Sequence, residues 1–343
     1  MQTLLNTLYV GTQMSYLHLD NNTVRVEVER ETRLRVPLHH LRGVVLFGNV
    51  LVSPALIHRL ADEGKSLVLL SEHGRFKARM EGPVSGNILL RQAQYARAGD
   101  PAFALAIARA VVAGKIKNTR QLLLRGGREA QDDDDRTRLT RRADDLAASL
   151  RALPTAGDLD TVRGLEGEAA RQYFAGLNLV LRPEARAVFA MDGRSRRPPR
   201  DRINALLSFL YAMLMNDCRS AVEAVGLDPQ LGFLHAVRPG RAALALDLME
   251  EFRALADRLA LTLINRGQVQ EGDFTEHEGG AVTLADDGRK TVIVAWQEKK
   301  REELAHPLLQ QAVAIGLLPL LQARFLARTL RGEMESYLPF VAR

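Results

Sequence analysis

Residues 24–29 of this chain read VRVEVE, in which each valine is followed by a charged residue. Side chains of a β-strand point alternately to its two faces, so this pattern predicts an antiparallel strand with one buried face. The preceding residues 20–22, DNN, predict a turn. Apolar runs at residues 44–47, 66–70 and 76–80, separated by glycines, predict further strands.

The periodicity of the chain changes at Ile88. Before it, one predicted helix interrupts the strands, because Ser53 can cap its first turn and Pro54 suits its first position. From Ile88 onwards, apolar residues follow helical spacing for most of the remaining chain. We therefore expect an α+β protein, with a β-rich, sandwich-like domain over residues 1–87 and a larger all-helical domain over residues 88–343.

Two segments of the helical half depart from the helical pattern. Residues 281–284 and 291–296 are apolar runs on either side of Asp286-Asp287-Gly288, which predicts a hairpin inserted among helices. The polar stretch 126–145, with its acidic run 132–135, is interpreted as a solvated connection or helix end. A metal loop is the alternative for the acidic run, although its carboxylates lack EF-hand spacing.

Composition narrows the class of protein. Apolar residues make up 46% of the 343 residues and charged residues 26%, which is typical of globular chains and excludes a disordered or collagen-like one. The length favours two domains. The 47 lysines and arginines exceed the 41 aspartates and glutamates, and the resulting charge of +6 favours an anionic partner without identifying it.

The single cysteine and the apolar runs bear on location. Cys218 has no partner for an intramolecular disulfide, so we expect a reducing cytoplasm. Residues 1–6 lack a signal-peptide pattern, and the longest apolar runs, 205–215 and 312–321, are too short for a membrane span. We expect neither secretion nor membrane insertion. Phosphate-loop, dinucleotide-binding, zincin and serine-hydrolase motifs are missing from the sequence, which disfavours those chemistries.

Candidate functional side chains lie in the helical half. Residues 164–171 read GLEGEAAR, and Leu165, Ala169 and Tyr173 share one helical face, which puts Glu166 beside the core. Two interpretations of Glu166 stay open. It either favours the dipole at a helix start, or it lies in a cleft that a ligand approaches closely because its glycine neighbours lack side chains.

A histidine and further carboxylates follow. His235 ends the run LGFLH just before a turn, where an imidazole can reach the edge of a cleft, although a satisfied core histidine is the alternative. Residues 245–253 read ALDLMEEFR, in which Asp247 shares a helical face with Glu250 and, through a four-residue offset, with Glu251. Carboxylates among leucines are costly to bury unless a cation or base compensates them.

These segments, in this order, resemble the Cas-one family of CRISPR spacer-acquisition integrases. AGKIKN at residues 113–118 and PVSGN at residues 83–87 also look like that family. The resemblance extends over nearly the whole chain and looks closest to subtype I-C members. It implies an enzyme that inserts short DNA fragments into a CRISPR array by attack of a 3′-hydroxyl, with DNA endonuclease activity as the same chemistry using water.

The resemblance also implies a site and partners. The catalytic residues would be Glu166, His235 and Glu250, which would hold a divalent cation, with Asp247 as a possible further ligand and the direct acidic ligand left open. An oxygen-rich donor set with one imidazole suits Mg²⁺ or Mn²⁺. The family pattern further implies a homodimer formed through the β-rich domains. Two such dimers would be bridged by a dimer of the small Cas-two partner.

Double-stranded DNA requires a basic surface. Seven arginines between residues 182 and 202 stand against three acidic residues, and a second basic stretch begins at Lys115. Basic side chains of this kind contact phosphates, although an exposed loop without a partner is the alternative. The predicted DNA-binding residues are Arg182, Arg186, Arg194, Arg196, Arg197, Arg200, Lys115 and Lys117. Two other functions stay open: a stand-alone metal-dependent nuclease in DNA repair, and an inactive DNA-binding scaffold.

Overall fold

The computed structural model describes residues 6–72, 74, 76–80, 82 and 88–342. The chain forms two compact units: Met1–Ser85 with Leu284–Glu298, and Gly86–Thr283 with Lys299–Arg343. The expected domain break after residue 87 and the PVSGN segment lie outside the described residues, so that boundary stays a prediction. The grouping of Leu284–Glu298 with the first unit was not predicted.

The first unit contains two four-stranded sheets. Its elements are β1 (Asn6–Val10), β2 (Tyr16–Asp20), β3 (Thr23–Val28), β4 (Glu31–Pro37), β5 (Leu41–Phe47), β6 (Leu51–Val52), α1 (Pro54–Asp62), β7 (Ser66–Leu70) and β8 (Phe76–Met80). One sheet has the order β1-β5-β7-β8, with two parallel pairs and a final antiparallel pair. The other has the order β4-β3-β2-β6.

The two sheets share one core, to which the VRVEVE strand contributes. Val24 and Val26 are buried in it with Leu8 of β1 and Val44 of β5. The charged residues of the same strand lie on its other face, as the alternation predicts. The first turn of α1 is capped as expected, because the hydroxyl of Ser53 accepts a hydrogen bond from the backbone nitrogen of Leu56 at 3.2 Å. The predicted β-rich, sandwich-like region is confirmed.

The second unit is mainly helical. Its helices are α2 (Ile88–Ala98), α3 (Pro101–Glu129), α4 (Asp133–Ala152), α5 (Leu159–Val180), α6 (Pro183–Phe189), α7 (Arg202–Val225), α8 (Ala243–Glu250), α9 (Arg253–Asn265) and α11 (Leu318–Leu330). Helix α10 (Asp286–Arg301) belongs mostly to the first unit. Short strands β9 (Phe274–Glu276), β10 (Val282–Leu284), β11 (Glu303–Ala305) and β12 (Ala312–Ala314) pair in two hairpins. Helix α3 contacts α4, α5, α8 and α9, so it is central to this unit.

The predicted hairpin between residues 281–284 and 291–296 is wrong. Strand β10 pairs with β9 instead, and residues 291–296 lie in α10. Val292 and Trp296, one helical turn apart, are both buried, so the run TVIVAW supplies the inner face of a helix. Its β-branched residues favour a strand locally, and helical packing overrides that preference.

The stretch 126–145 is a helix end followed by a new helix. Gly126 lies inside α3, where a Cβ atom would come within 2.8 Å of the Val180 side chain, so glycine permits α3 and α5 to pack closely. Asp132 caps α4 by accepting a hydrogen bond from the backbone nitrogen of Asp135 at 3.1 Å. Acidic residues in a first turn also interact favourably with the helix dipole.

None of the described helices combines the length and the apolar character required to cross a lipid bilayer.

Candidate metal centre

The carboxylate of Asp247, on α8, holds the backbone of residues 233–235 in place. This carboxylate is 1% exposed and accepts hydrogen bonds from the backbone nitrogens of Phe233 at 2.6 Å, Leu234 at 3.0 Å and His235 at 2.9 Å. Gly232 allows this approach, because a Cβ atom there would lie 2.6 Å from Asp247 Oδ2. The run LGFLH is thus a loop wrapped around one buried carboxylate.

The same carboxylate orients the imidazole of His235. Asp247 Oδ1 lies 2.7 Å from His235 Nδ1, and because a carboxylate accepts hydrogen bonds, Nδ1 carries the proton. His235 Nε2 lies 3.8 Å from Glu250 Oε1. The unprotonated nitrogen of a neutral imidazole therefore lies on the Glu250 side, while Asp247 is occupied by the loop and by Nδ1.

Glu250 is a buried carboxylate between two cations. It is 3% exposed and forms two hydrogen bonds of 2.8 Å with the guanidinium of Arg253, while Lys115 Nζ lies 2.7 Å from its Oε2. Burial by itself would raise the pKa of Glu250, but Arg253 and Lys115 outweigh it and hold the pKa well below its ordinary value. Glu250 is therefore ionised at neutral pH.

Glu166 of α5 reaches the same group of side chains. Its Oε1 bonds to Lys115 Nζ, and its side chain is 26% exposed. A Cβ atom added at Gly164 or Gly167 would meet no atom within 4 Å, so both neighbouring glycines face open space. Glu166, His235 and Glu250 line one cleft of about 400 Å³.

Three arginines also line this cleft: Arg163, Arg238 and Arg241. Arg163 is fixed by hydrogen bonds to the carbonyl of Leu234 at 2.9 Å and to Asp160 at 2.7 Å. Sequence reasoning missed Arg163 and gave Arg238 and Arg241 no role. Their positions, three residues before Glu166 and just after His235, were the available signal.

Arg253 connects the site to a buried tyrosine pair. Its guanidinium lies 4.7 Å from the ring centre of Tyr211, whose hydroxyl donates to Asp257 at 2.6 Å. Tyr173 donates to the other oxygen of Asp257 at 2.8 Å. Burial raises the pKa of Asp257 despite these two donors. Tyr211 is a core residue, and it supports the arginine that holds Glu250.

Glu251, which the four-residue offset placed on the same helical face as Asp247, does not line the cleft. Helix α8 ends at Glu250, and the fully buried carboxylate of Glu251 accepts hydrogen bonds from Gln322 at 2.9 Å, Phe340 N at 2.6 Å and the Tyr337 hydroxyl. Burial outweighs these donors and raises the pKa of Glu251 to about 7. This carboxylate anchors the segment that follows α11.

The predicted DNA-binding residues are divided between the interior and the surface. Arg186 is bonded to Asp135 and to the carbonyl of Leu181, at 2.9 Å for the latter. Arg194 bonds to Asn204 at 2.6 Å, and burial lowers its pKa.

The other predicted DNA-binding residues differ in their contacts and in their exposure to solvent. Arg200 donates to a backbone carbonyl, and Lys115 pairs with Glu166, one of the residues that line the cleft. Lys117, Arg182, Arg196 and Arg197 are exposed.

A larger groove, of about 670 Å³, lies elsewhere in the second unit. Arg182 and Arg186 line it, as do Asp132 and Asp135. Asp132, Asp134 and Asp135 offer oxygens within 4.8 Å of one another, which is close enough to share a cation. Because Asp132 caps α4 and Asp135 pairs with Arg186, both carboxylates have other partners.

The donors of the first cleft are of the chemical kinds that bind a hard divalent cation. Glu166 and Glu250 supply carboxylate oxygens, and His235 supplies a nitrogen held in place by Asp247. Lys115 already places a positive charge between the two glutamates. An oxygen-rich set with one imidazole suits Mg²⁺ or Mn²⁺.

Comparisons with known proteins agree on one family. The family model described as CRISPR associated protein Cas1 matches residues 8–298. The chain is 55% identical, over the full length of both proteins, to CRISPR-associated endonuclease Cas1 1 of Moorella thermoacetica.

Two solved structures share the fold. A casposase bound to integration product has a TM-score of 0.83 and 21% identity, covering 97% of this chain and 93% of that one. A chain of a Cas6-RT-Cas1–Cas2 complex has a TM-score of 0.84 and 24% identity, covering all of this chain and 37% of its own. The family match and the full-length relative lead to one conclusion: the chain belongs to the Cas1 family of CRISPR-associated proteins.

Proposed function

We propose that this Cas1 protein is a divalent-metal-dependent DNA integrase and endonuclease that inserts short spacers into a CRISPR array. The observation that carries the proposal is the arrangement of Asp247, His235 and Glu250 beside Glu166 in one cleft. The 55% identical relative is named an endonuclease, which supports the same reaction class. The kinship to subtype I-C members and a cytoplasmic location are part of the proposal and rest on the sequence alone.

Glu166, His235 and Glu250 would hold the cation, with Asp247 orienting the imidazole. The choice of Glu250 over Asp247 as direct ligand is supported by contacts, since Asp247 already accepts four hydrogen bonds. Bound Mg²⁺ or Mn²⁺ would polarise the scissile phosphate and stabilise the leaving 3′ oxygen. The Glu250 carboxylate stays ionised for this purpose because Arg253 and Lys115 compensate its charge and lower its pKa.

DNA would approach over the basic rim of the cleft. Arg163, Arg238 and Arg241 lie where they could bind the phosphates flanking the scissile bond. The exposed Lys117, Arg196 and Arg197 stay candidates for further phosphate contacts. Arg186 and Arg194 are supported mainly as structural residues, because their guanidinium groups are bonded within the chain.

The homodimer and the small Cas2 partner are also proposals. They rest on the resemblance of the whole chain to Cas1 and on the likeness to one chain of a Cas6-RT-Cas1–Cas2 complex. Co-purification with a Cas2 dimer, followed by measurement of the complex mass, tests this part. A protein that joins DNA fully without a partner would contradict it.

A strand-transfer assay tests the chemistry. Glu166→Gln and His235→Ala should lower Mn²⁺-dependent joining of a 3′-hydroxyl fragment to repeat DNA by at least about 100-fold, since removing even an outer-shell partner costs 10–100-fold. Glu168→Gln is the matched control, because Glu168 lies on the same helix, is exposed and pairs with Arg171. Near wild-type joining by either site variant would refute the assignment. Cleavage without any joining would favour a stand-alone nuclease, and DNA binding without either would favour a scaffold.

A further inference from the structure

Lys115 occupies a position that sequence reasoning did not foresee. It extends from α3 to two carboxylates on different helices, Glu166 of α5 and Glu250 of α8. Its side chain is 12% exposed, so its ammonium is largely shielded from water. Lys117, two residues further along α3, is exposed instead.

Lys115 is the second of two cations that compensate the charge of Glu250. Arg253 already pairs with Glu250 through two hydrogen bonds of 2.8 Å, which is the strong, planar form of such a pair. Glu166 is 26% exposed and retains contact with water. The lysine therefore adds a second positive charge where one buried carboxylate is already paired and the other is partly hydrated.

We propose that Lys115 is a built-in competitor of the divalent cation, holding oxygens of Glu166 and Glu250 until the cation displaces its ammonium. This inference rests on the proposed function, because it takes both glutamates as cation ligands. An ammonium and a divalent cation both need these oxygens at contact distance, so binding of one excludes binding of the other in the same geometry. Lys115 thus sets how strongly the site takes up metal.

The charges of the side chains that contact one another here indicate what the competition does. Glu166, Asp247 and Glu250 carry three negative charges, and Lys115 and Arg253 carry two positive ones, which leaves −1. A divalent cation changes that sum to +1, opposite in sign to a phosphodiester. Without Lys115 the same groups with the cation would sum to zero. The lysine therefore weakens metal uptake, and its displaced ammonium adds one positive charge to those that Arg163, Arg238 and Arg241 supply around the cleft.

Metal titration tests the proposal without any reaction. Mn²⁺ binding is measured by calorimetry for the wild type, Lys115→Met and Lys117→Met, at constant pH and ionic strength. We expect Lys115→Met to bind Mn²⁺ about tenfold more tightly, because a positive charge has been removed at close range. Lys117→Met should match the wild type, because Lys117 shares the helix but is exposed.

The outcomes separate this inference from the proposed function. Equal or weaker Mn²⁺ binding by Lys115→Met overturns the competition and leaves the metal centre standing. Failure of both the wild type and Lys115→Met to bind Mn²⁺ overturns the metal centre itself.

A lysine-modification experiment on the wild type tests the proposal even if Lys115→Met does not fold. Acylation of lysines, read by mass spectrometry, should increase at Lys115 relative to Lys117 when Mn²⁺ is added. No increase at Lys115 overturns the proposal.

Discussion

Replacing Asp247 by Asn should destabilise the protein and weaken metal binding together. The substitution keeps the side chain's shape, so it opens no cavity. The aspartate accepts four hydrogen bonds, two at each oxygen. An asparagine amide can accept at only one of those two positions, and its NH₂ group must face donors at the other.

The size of the effect follows from the bonds that are lost. Two hydrogen bonds to a charged acceptor disappear at a site 1% exposed to solvent. At about 1.5 kcal/mol each, the free energy of unfolding should fall by about 3 kcal/mol. Because the amide no longer fixes His235 Nδ1 as the protonated nitrogen, Mn²⁺ affinity should also fall by about 10–100-fold.

Urea unfolding followed by circular dichroism measures the first effect, and calorimetric Mn²⁺ titration of the folded variant measures the second. Asp160→Asn is the matched control, since Asp160 is exposed and forms an ion pair with Arg163 on the same helix. Its unfolding free energy should change by less than about 0.5 kcal/mol. A change that small for Asp247→Asn would refute the role given to this carboxylate.

Three further outcomes follow from the same contacts. Gly232→Ala should lower the free energy of unfolding by about 1–3 kcal/mol in urea titrations, because its Cβ would lie 2.6 Å from Asp247 Oδ2 and 2.7 Å from the carbonyl carbon of Ala243; a neutral result would contradict the tight loop. Arg253→Lys should destabilise the protein in the same assay, whereas Arg171→Lys on the exposed face of α5 should not, because an ammonium cannot replace the two-bond pairing of a guanidinium with buried Glu250. Burial raises the pKa of Glu251 from 4.5 to about 7. Between these pH values the folded state holds a proton that the unfolded state has released. Thermal stability should therefore fall as the pH rises through this range. Glu251→Gln should lack about 3 kcal/mol of that pH dependence, and identical pH profiles for variant and wild type would contradict the shift.

Local signals carried the fold prediction. The VRVEVE alternation and the cap at Ser53 each depend on residues within a few positions, so sequence spacing contains them. The prediction of a strand for the TVIVAW run of α10 was wrong for the opposite reason. The β-branched residues of this run favour a strand locally, and only contacts made after folding show that Val292 and Trp296 share a buried helical face.

The site was predictable in part. The resemblance to Cas1 selected Glu166, His235 and an acidic residue of α8, but spacing alone did not separate Asp247 from Glu250. That distinction depends on which carboxylate contacts the loop at His235, which lies 12 residues before Asp247 in sequence. Lys115 lies 51 residues from Glu166 in sequence, so its basic neighbours suggested DNA contact and nothing local indicated the cleft.

The two ends of the proposed metal site are coupled to protein stability to different degrees. Asp247 joins the 233–235 backbone to α8, so the position of the imidazole is determined by the same hydrogen bonds that hold the loop. Glu166 lies on a partly exposed helical face between two glycines at which an added Cβ atom would meet no neighbouring atom within 4 Å, and its carboxylate is paired with Lys115. A change at Asp247 must therefore alter folding and metal affinity together. A change at Glu166 can remove metal affinity alone, so comparing Glu166→Gln with Asp247→Asn separates the ligand from the support.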